Sequence, residues 1–254
     1  MFGLGKRREG GFTGDVKRID QWLANLGYCS RSAAREWAAE GRVTVGGLAV
    51  HDPGRRVAAA DLLVDGEALD HPEGMLLVMN KPLDVVCSHD QREGKRVYDL
   101  LPVRWRQRNP VVTSIGRLDR DTTGLLLLTD QSELVHLLTS PKHKVQKVYR
   151  AVLDRAVDPA RRGEIEAVFA SGRLVLAEEN KACLPAEVRW TGGVDGREVE
   201  VTLTEGRYHQ VRRMFGSQGV TVEELKRVRF GGLELPEGLA AGEFRDLPVD
   251  YRFF

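Results

Sequence analysis

The run Leu125–Leu128 must be buried, yet it follows directly on "GRLDRDTTG", residues 116–124, which carries four charges and two hydroxyls. Four leucines are too few for a helix of their own, and the flanking glycine and threonines favour a buried strand. Asp119 and Asp121 then lie on the loop that feeds this strand. A carboxylate there has to be paired or hydrogen-bonded, because an isolated charge beside an apolar interior is expensive. Partners within reach in sequence are Arg117, Arg120 and the hydroxyls of Thr122 and Thr123, with an arginine from elsewhere in the chain as another. A loop stapled by Arg117 and Asp121 is the plain reading. A reactive carboxylate held at a strand entrance is the functional one.

The rest of the composition narrows the class. At 254 residues the chain can form one large and one small domain. It is 42% apolar and 30% charged, the balance of a globular protein, with no apolar stretch approaching the roughly 18–20 residues of a membrane span. The opening "MFGLGKRREGGFTGD" is basic and Gly-rich without an apolar core, so residues 1–15 read as a flexible tail and not as an export signal. Cys29, Cys87 and Cys183 are odd in number, far apart and outside any CxxC or Cys/His cluster, which points to reduced structural thiols, a cytoplasmic location and no metal. The net charge of +1 conceals blocks: residues 1–56 hold ten Lys/Arg against six Asp/Glu, residues 57–74 five acids and no Lys/Arg, and residues 75–150 thirteen bases against eight acids. Two basic blocks divided by an acidic break suit two surfaces for one polyanion.

Organisation begins after the tail. Ile19, Trp22, Leu23 and Leu26 recur at helical spacing, with Gly27 as the stop. Ser30 caps a second helix through Ala33, Ala34, Trp37 and Ala38, ended by Gly41, and "RVTVGGLAV" reads as a hairpin around Gly46-Gly47. Further on, "MLLVMNKPLDVVCS" reads as a strand, a Lys-Pro turn and another strand. "DQSELVHLLTSP" is a short helix capped by Asp130 or Ser132, "KVQKVYRAVL" and "REVEVTLTEG" alternate as strands, and "YHQVRRMFGSQG" is a helix with Val211, Met214 and Phe215 on one face.

Residues 17–56 resemble the S4 RNA-binding domain through Arg18-Ile19-Asp20, Leu23, Gly27, Ser30-Arg31, Ala34, Gly41 and Val43–Gly47. Arg18, Arg31, Arg35 and Arg42 fall at helix starts and turns, where guanidinium groups can meet phosphates. The alternative for these four is a solvated basic face.

The segment "GRLDRDTTGLLLLTD", together with "KVYRAVL" and "EGRYHQVRRMF" in that order, resembles the RsuA-type pseudouridine synthases. "TSPKH" and the Tyr-His of the third motif are closest to the small-subunit ribosomal RNA branch, and "GGLEL…LAAGEFRDL" follows the family's ending. The resemblance spans residues 17–247. It implies that Asp119 is the essential carboxylate, that Tyr149 stacks on the target base and that Arg212 pairs with Asp119. The family's Lys-Pro-x-Gly turn departs here to Lys81-Pro82-Leu83-Asp84, and Asp tolerates a left-handed turn position better than most residues.

The implied chemistry needs no cofactor. The N1–C1′ bond of a uridine breaks, the uracil turns, and the ring rejoins through C5. The carboxylate serves as nucleophile at C1′ or C6, or as base at C2′. The target nucleotide has to leave its stack, which costs a few kcal/mol, and stacking on an aromatic ring returns about 1–3 kcal/mol. Lys81 at its turn is a candidate for substrate phosphate, Arg117 for the substrate or for the loop, and Lys142, Lys144 and Lys147 for a basic stripe tracking RNA backbone, each against a solvated or stapling role. His209 is a satisfied group beside the Arg212 helix and not a base.

The expectation is therefore an α+β chain: an S4 domain at 16–63, an acidic linker at 64–74 and a catalytic domain at 75–254 with a mixed, largely antiparallel sheet flanked by helices. It acts as a monomer on ribosomal RNA, 16S in particular, within a small-subunit assembly intermediate, without membrane or nucleotide cofactor. The alternatives are a 23S enzyme of the same family and a non-catalytic RNA-binding assembly factor.

Overall fold

A computed structural model describes residues 15–253; the tail expected at 1–15 lies, but for Asp15, outside the described residues. The chain divides into two units, the first of residues up to 72 with 107–109, the second of residues 73–106 and 110 onward.

In the first unit, strand β1 (Val16–Arg18) leads into α1 (Ile19–Asn25), followed by α2 (Ala34–Ala39) and the short strands β2 (Val43–Val45), β3 (Leu48–Ala49), β4 (Arg56–Ala58), β5 (Leu62–Val64) and β6 (Glu67–Ala68). Helix α2 starts later than its sequence signal, because the Ser30 hydroxyl accepts the Ala33 N–H one turn before regular helix begins. Gly46 and Gly47 both have positive φ, the geometry of a tight hairpin turn between β2 and β3. Ile19, Trp22, Leu23, Ala34, Val43, Leu62 and Val64 form the core, and the Trp22 indole N–H donates to Val57 O. Residues 64–68 are not a linker. They complete the four-stranded sheet β3-β2-β5-β6, because Val64 is buried against this core.

The second unit contains β7 (Leu76–Lys81), β8 (Thr113–Ser114), β9 (Thr122–Thr129), α3 (Ser132–Thr139), β10 (Lys147–Leu153), α4 (Pro159–Ala170), β11 (Glu187–Gly192), β12 (Glu198–Leu203), α5 (Gln210–Ser217), β13 (Val222–Phe230), β14 (Leu233–Glu234) and β15 (Phe244–Asp246). Among the described residues its sheet runs β11-β12-β10-β13-β9-β7-β15, with β14 beside β13 and β8 beside β9. All its pairings are antiparallel except β13 with β9. The α+β class and the mixed, largely antiparallel sheet are as the sequence implies.

The leucine run explains itself here. Leu126 and Leu128 enter one apolar cluster with Met75, Leu77, Tyr149 and Phe215, while Leu125 and Leu127 enter another with Leu76, Ile115, Leu138 and Phe230. Successive side chains of a strand point to opposite faces, so a strand covered on both sides needs an unbroken apolar run. Two sequence assignments change. Residues 85–88 form no strand, only an isolated bridge from Val86 to Arg96, because the chain turns at Asp84 with φ 59°. Asp130 does not cap α3; its carboxylate accepts the Met75 N–H at 2.7 Å and fixes the start of β7.

Candidate active site

Asp119 sits on the tight loop between β8 and β9, where Thr122 N–H donates to Asp119 O at 3.1 Å. This loop borders a cleft of about 510 Å³ that is also lined by Arg117, Thr122, Lys147, Tyr149, His209 and Arg227. Asp119 and Tyr149 therefore share one cavity. Tyr149 reaches it from the middle of β10 and is itself buried. The Asp119 side chain remains about a third exposed (34%). A larger depression, about 820 Å³, is lined by Arg150, Arg189, Glu200 and Lys226 and holds none of these site residues. Arg150 and Tyr149 alternate along β10, and Arg150 and Arg189 are both ion-paired to Glu200.

A histidine stands close to the Asp119 carboxylate. His209 Nε2 lies 3.6 Å from Asp119 Oδ1. His209 occupies the position before α5 with φ 47° and ψ 35°, a left-handed conformation unusual for a side-chain-bearing residue. Its ring stacks on the neighbouring Tyr208 at 3.9 Å, and Tyr208 is 74% exposed at the cleft. A strained residue at a binding cleft is a common mark of function.

Arg212 is placed differently from the expectation. Its guanidinium forms an ion pair with Asp121 Oδ2 at 2.9 Å and donates to Asp121 O at 3.1 Å and to Val222 O at 2.6 Å. It does not pair with Asp119. The reason is the helix register: His209, before the first turn of α5, faces Asp119, whereas Arg212 lies nearly one turn on and meets the loop two residues later. Arg212 thus ties the loop that bears Asp119 to α5 and to the start of β13.

Lys81 is also placed differently. It is completely buried (0% exposed), and its ammonium donates to Pro82 O at 2.9 Å, Thr122 O at 2.9 Å and Arg120 O at 3.3 Å. A side chain spent on three internal carbonyls has no reach to a substrate phosphate. It instead supports the loop from below. Burial pushes the Lys81 ammonium below its ordinary value, while nearby Cys87 and the carboxylates of Asp121, Asp119 and Asp84 oppose that shift. Asp84 takes the left-handed position and donates its N–H to Arg120 O at 3.0 Å, so the Asp-for-Gly departure is accommodated.

Of the remaining candidates, Arg117 is exposed at the cleft, and Lys142 and Lys144 are exposed in the turn after α3. Lys147 does not belong to that exposed stripe. It turns into the cleft, donates to Val145 O at 3.1 Å, and is pushed down to about 8 by burial and by the charge of Arg227. In the first unit, Arg31 and Arg35 are exposed, but Arg18 makes two bonds to Asp20 and Arg42 two bonds to Asp65. Arg42 also lies 3.6 Å over the Trp37 ring. These two arginines are engaged in the fold by neighbouring acids.

Arg227 escapes attention in the sequence. Its one signal is position: it shares a strand face with Leu225, where a charge contradicts the apolar alternation. A second unforeseen element is the clamp around Glu179, whose carboxylate takes Arg207 and Arg213 and is held below its usual range by them. Arg207 also donates to Lys181 O at 2.7 Å, fastening the segment around residue 180 to the segment leading into α5.

A carboxylate and a tyrosine thus line one cleft of the mixed sheet in the second unit, and the first unit is a small fold of two helices and short strands. Residues 75–217 match the RNA pseudouridylate synthase family and residues 17–63 match the S4 domain, and the chain belongs to the RNA pseudouridylate synthase family. It is 35% identical over 234 residues to the ribosomal small subunit pseudouridine synthase A of Vibrio parahaemolyticus, covering 91% of this chain and 95% of that one. It is 36% identical over 236 residues to the protein of the same name from Escherichia coli K12, covering 91% and 96%. Among solved structures it resembles a crystal structure of pseudouridylate synthase, with 33% identity, a TM-score of 0.61, and 91% and 96% of the two chains covered.

Proposed function

We propose that this protein converts a specific uridine of 16S ribosomal RNA to pseudouridine, with Asp119 as the reacting carboxylate and Tyr149 beneath the flipped base. The observation that carries the reading is that Asp119 and Tyr149, thirty residues apart in sequence, line one cleft. Relatives named for the small ribosomal subunit, matched over nearly their whole length, favour the 16S substrate. Arg212 acts on the site through Asp121, holding the loop in register, and Lys81 holds the same loop from beneath. Arg117, Lys142 and Lys144 meet RNA phosphates at the surface of the second unit, and Arg31 and Arg35 do so on the S4 domain. The substrate is RNA within a small-subunit assembly intermediate, met in the cytoplasm by a monomeric enzyme.

On this reading the events follow in order. A uridine out of its stack places one ring face on Tyr149, whose stacking returns about 1–3 kcal/mol of the unstacking cost. Asp119, still partly open to solvent, then meets the sugar or the C6 edge. The test is release of tritium from small-subunit rRNA labelled at uridine C5. Wild-type protein releases it and Asp119→Asn does not. Full release by Asp119→Asn removes the assignment of Asp119. No release by wild type from naked rRNA or from assembly intermediates leaves the non-catalytic assembly factor as the answer.

A further inference from the structure

The cleft that holds Asp119 and Tyr149 contains a cationic group that the loop-anchoring residues leave untouched. Arg227 is 1% exposed. It stands directly across from Tyr149 in the β10–β13 ladder, so both side chains leave the sheet on the same face. Its Nε donates to Leu125 O at 2.7 Å, but its Nη2 is buried with no hydrogen-bond partner. Lys147 lines the same cleft, and the two cations approach one ring: the Arg227 guanidinium lies 5.3 Å and the Lys147 ammonium 5.7 Å from the centre of Phe230. Among the described residues neither forms an ion pair, and the Glu205 carboxylate opposes the depression of Lys147 without overcoming burial and the charge of Arg227. Two like charges at the base of a cleft, one with an unused donor, are unfavourable until something electronegative arrives.

We propose that Arg227, assisted by Lys147, binds a carbonyl oxygen of the flipped uracil and takes up the negative charge that the ring acquires during isomerisation. The inference rests on the pseudouridine synthase reading above. When the N1–C1′ pair departs with the ring, the charge spreads over N1 and the carbonyl oxygens. It is withdrawn when C5 bonds to C1′, the C5 proton leaves and N1 gains a proton. If the carboxylate instead adds at C6, the electron pair moves toward O4. Either course builds charge on a uracil oxygen, and donors fixed in place before the reaction are the effective means of stabilising it. A phosphate is the other anion an RNA offers. Its strong hydration keeps it at the cleft mouth, where Arg117 is exposed, whereas a neutral base enters the dry end beside Tyr149.

The experiment compares wild type, Arg227→Gln and Lys147→Met in single-turnover tritium release from small-subunit rRNA carrying [5-3H]uridine. Affinity for the same RNA is measured by filter binding over a range of salt. Arg227→Gln slows release about 100- to 1,000-fold, the usual cost of losing one such donor. Its RNA affinity stays within about threefold, with an unchanged salt slope. Lys147→Met slows release with the same signature and serves if Arg227→Gln does not fold. A third arm leaves the protein intact and replaces uridine by 2-thiouridine or 4-thiouridine. One of the two slows wild type, and that penalty shrinks in Lys147→Met. Unchanged rates in the folded variants overturn the proposal, as do unchanged rates with both thio substrates. Weaker binding with a shallower salt slope and an unchanged rate makes the cations phosphate ligands and also overturns it. Wild type that releases no tritium overturns the isomerase reading itself.

Discussion

Replacing Lys81 with methionine tests whether the reactive loop depends on its buried support. The substitution keeps an unbranched side chain and removes the ammonium, so the carbonyls of Pro82, Thr122 and Arg120 lose their donor. A hydrogen bond from a charged group is worth about 1.5–3 kcal/mol. Two of the three are short, at 2.9 Å, and the third, at 3.3 Å, contributes less. Against this loss, the variant no longer buries a charge in a site with no exposure, which relieves several kcal/mol. The net expectation is a destabilisation of about 2–4 kcal/mol, or a fall of about 5–15 °C in calorimetry for a unit of this size. Activity falls further than stability requires at the assay temperature. Displacing a catalytic group by about 1 Å costs on the order of 100-fold, and Lys81 holds the first and third residues after Asp119, through Arg120 O and Thr122 O. Tritium release should therefore show kcat reduced about 10- to 100-fold, with KM and the salt slope of RNA binding near wild type. A variant that melts like wild type while its salt slope drops by about one would refute this reasoning and make Lys81 a phosphate ligand.

Lys147→Met should lose activity yet gain stability at pH 7. The folded-state value of Lys147 is depressed from 10.5 to about 8, worth about 3 kcal/mol undiluted and about 1 kcal/mol once solvent screening is allowed for. Between about pH 8 and 10.5 the unfolded chain binds the proton that the folded chain has released, so wild-type stability rises with pH and the gap to the variant closes. Urea titrations at pH 7 and 9.5 that give a constant gap would contradict it. Gly124→Ala should be far more damaging than Gly116→Ala. The added Cβ at Gly124 falls 2.2 Å from Arg227 O at φ +98°, whereas at Gly116 it meets nothing within 4 Å, so calorimetry should show about 3–5 against about 1 kcal/mol. In the S4 domain, Arg42→Ala should lower thermal stability and leave the salt slope of RNA binding intact, because Arg42 serves Asp65 and Trp37. Arg31→Ala should do the reverse.

What sequence makes legible is what local pattern determines. The four leucines declare a strand buried on both faces, Gly46-Gly47 a hairpin, and Val211, Met214 and Phe215 the inward face of α5. Partners of charges are less legible. Lys81 beside Pro82 reads as a surface turn, and only the return of the chain forty residues later, with carbonyls from Arg120 and Thr122, makes it an internal post. Arg212 reads as the partner of Asp119, and its pairing with Asp121 instead depends on where α5 begins, which the left-handed His209 sets. Helix α4 is masked by its many charges, although Asp158 accepting from Ala160 N–H and Pro159 at its first turn are regular start signals. Arg227 is hidden because a charged residue in a strand of alternating charge attracts no notice until its face is known.

These placements converge on one residue of β9. Gly124 is paired on one side with Lys81 of β7 and on the other with Arg227 of β13, at the only parallel junction among the described pairings of the large sheet. A parallel neighbour lets β9 and β13 begin at the same end, so the loop before β9 and the helix before β13 emerge together. Asp119 comes from that loop and His209 from the start of that helix, and their contact at 3.6 Å follows from the topology. The absence of a side chain at Gly124 lets the strands close over this point, with the Arg227 carbonyl where a Cβ would stand. The same closure carries Arg227 to the base of the cleft. A larger residue at 124 would therefore disturb the loop, its buried support and the buried cation together. For this reason activity should be lost in Gly124→Ala even under conditions where the protein remains folded.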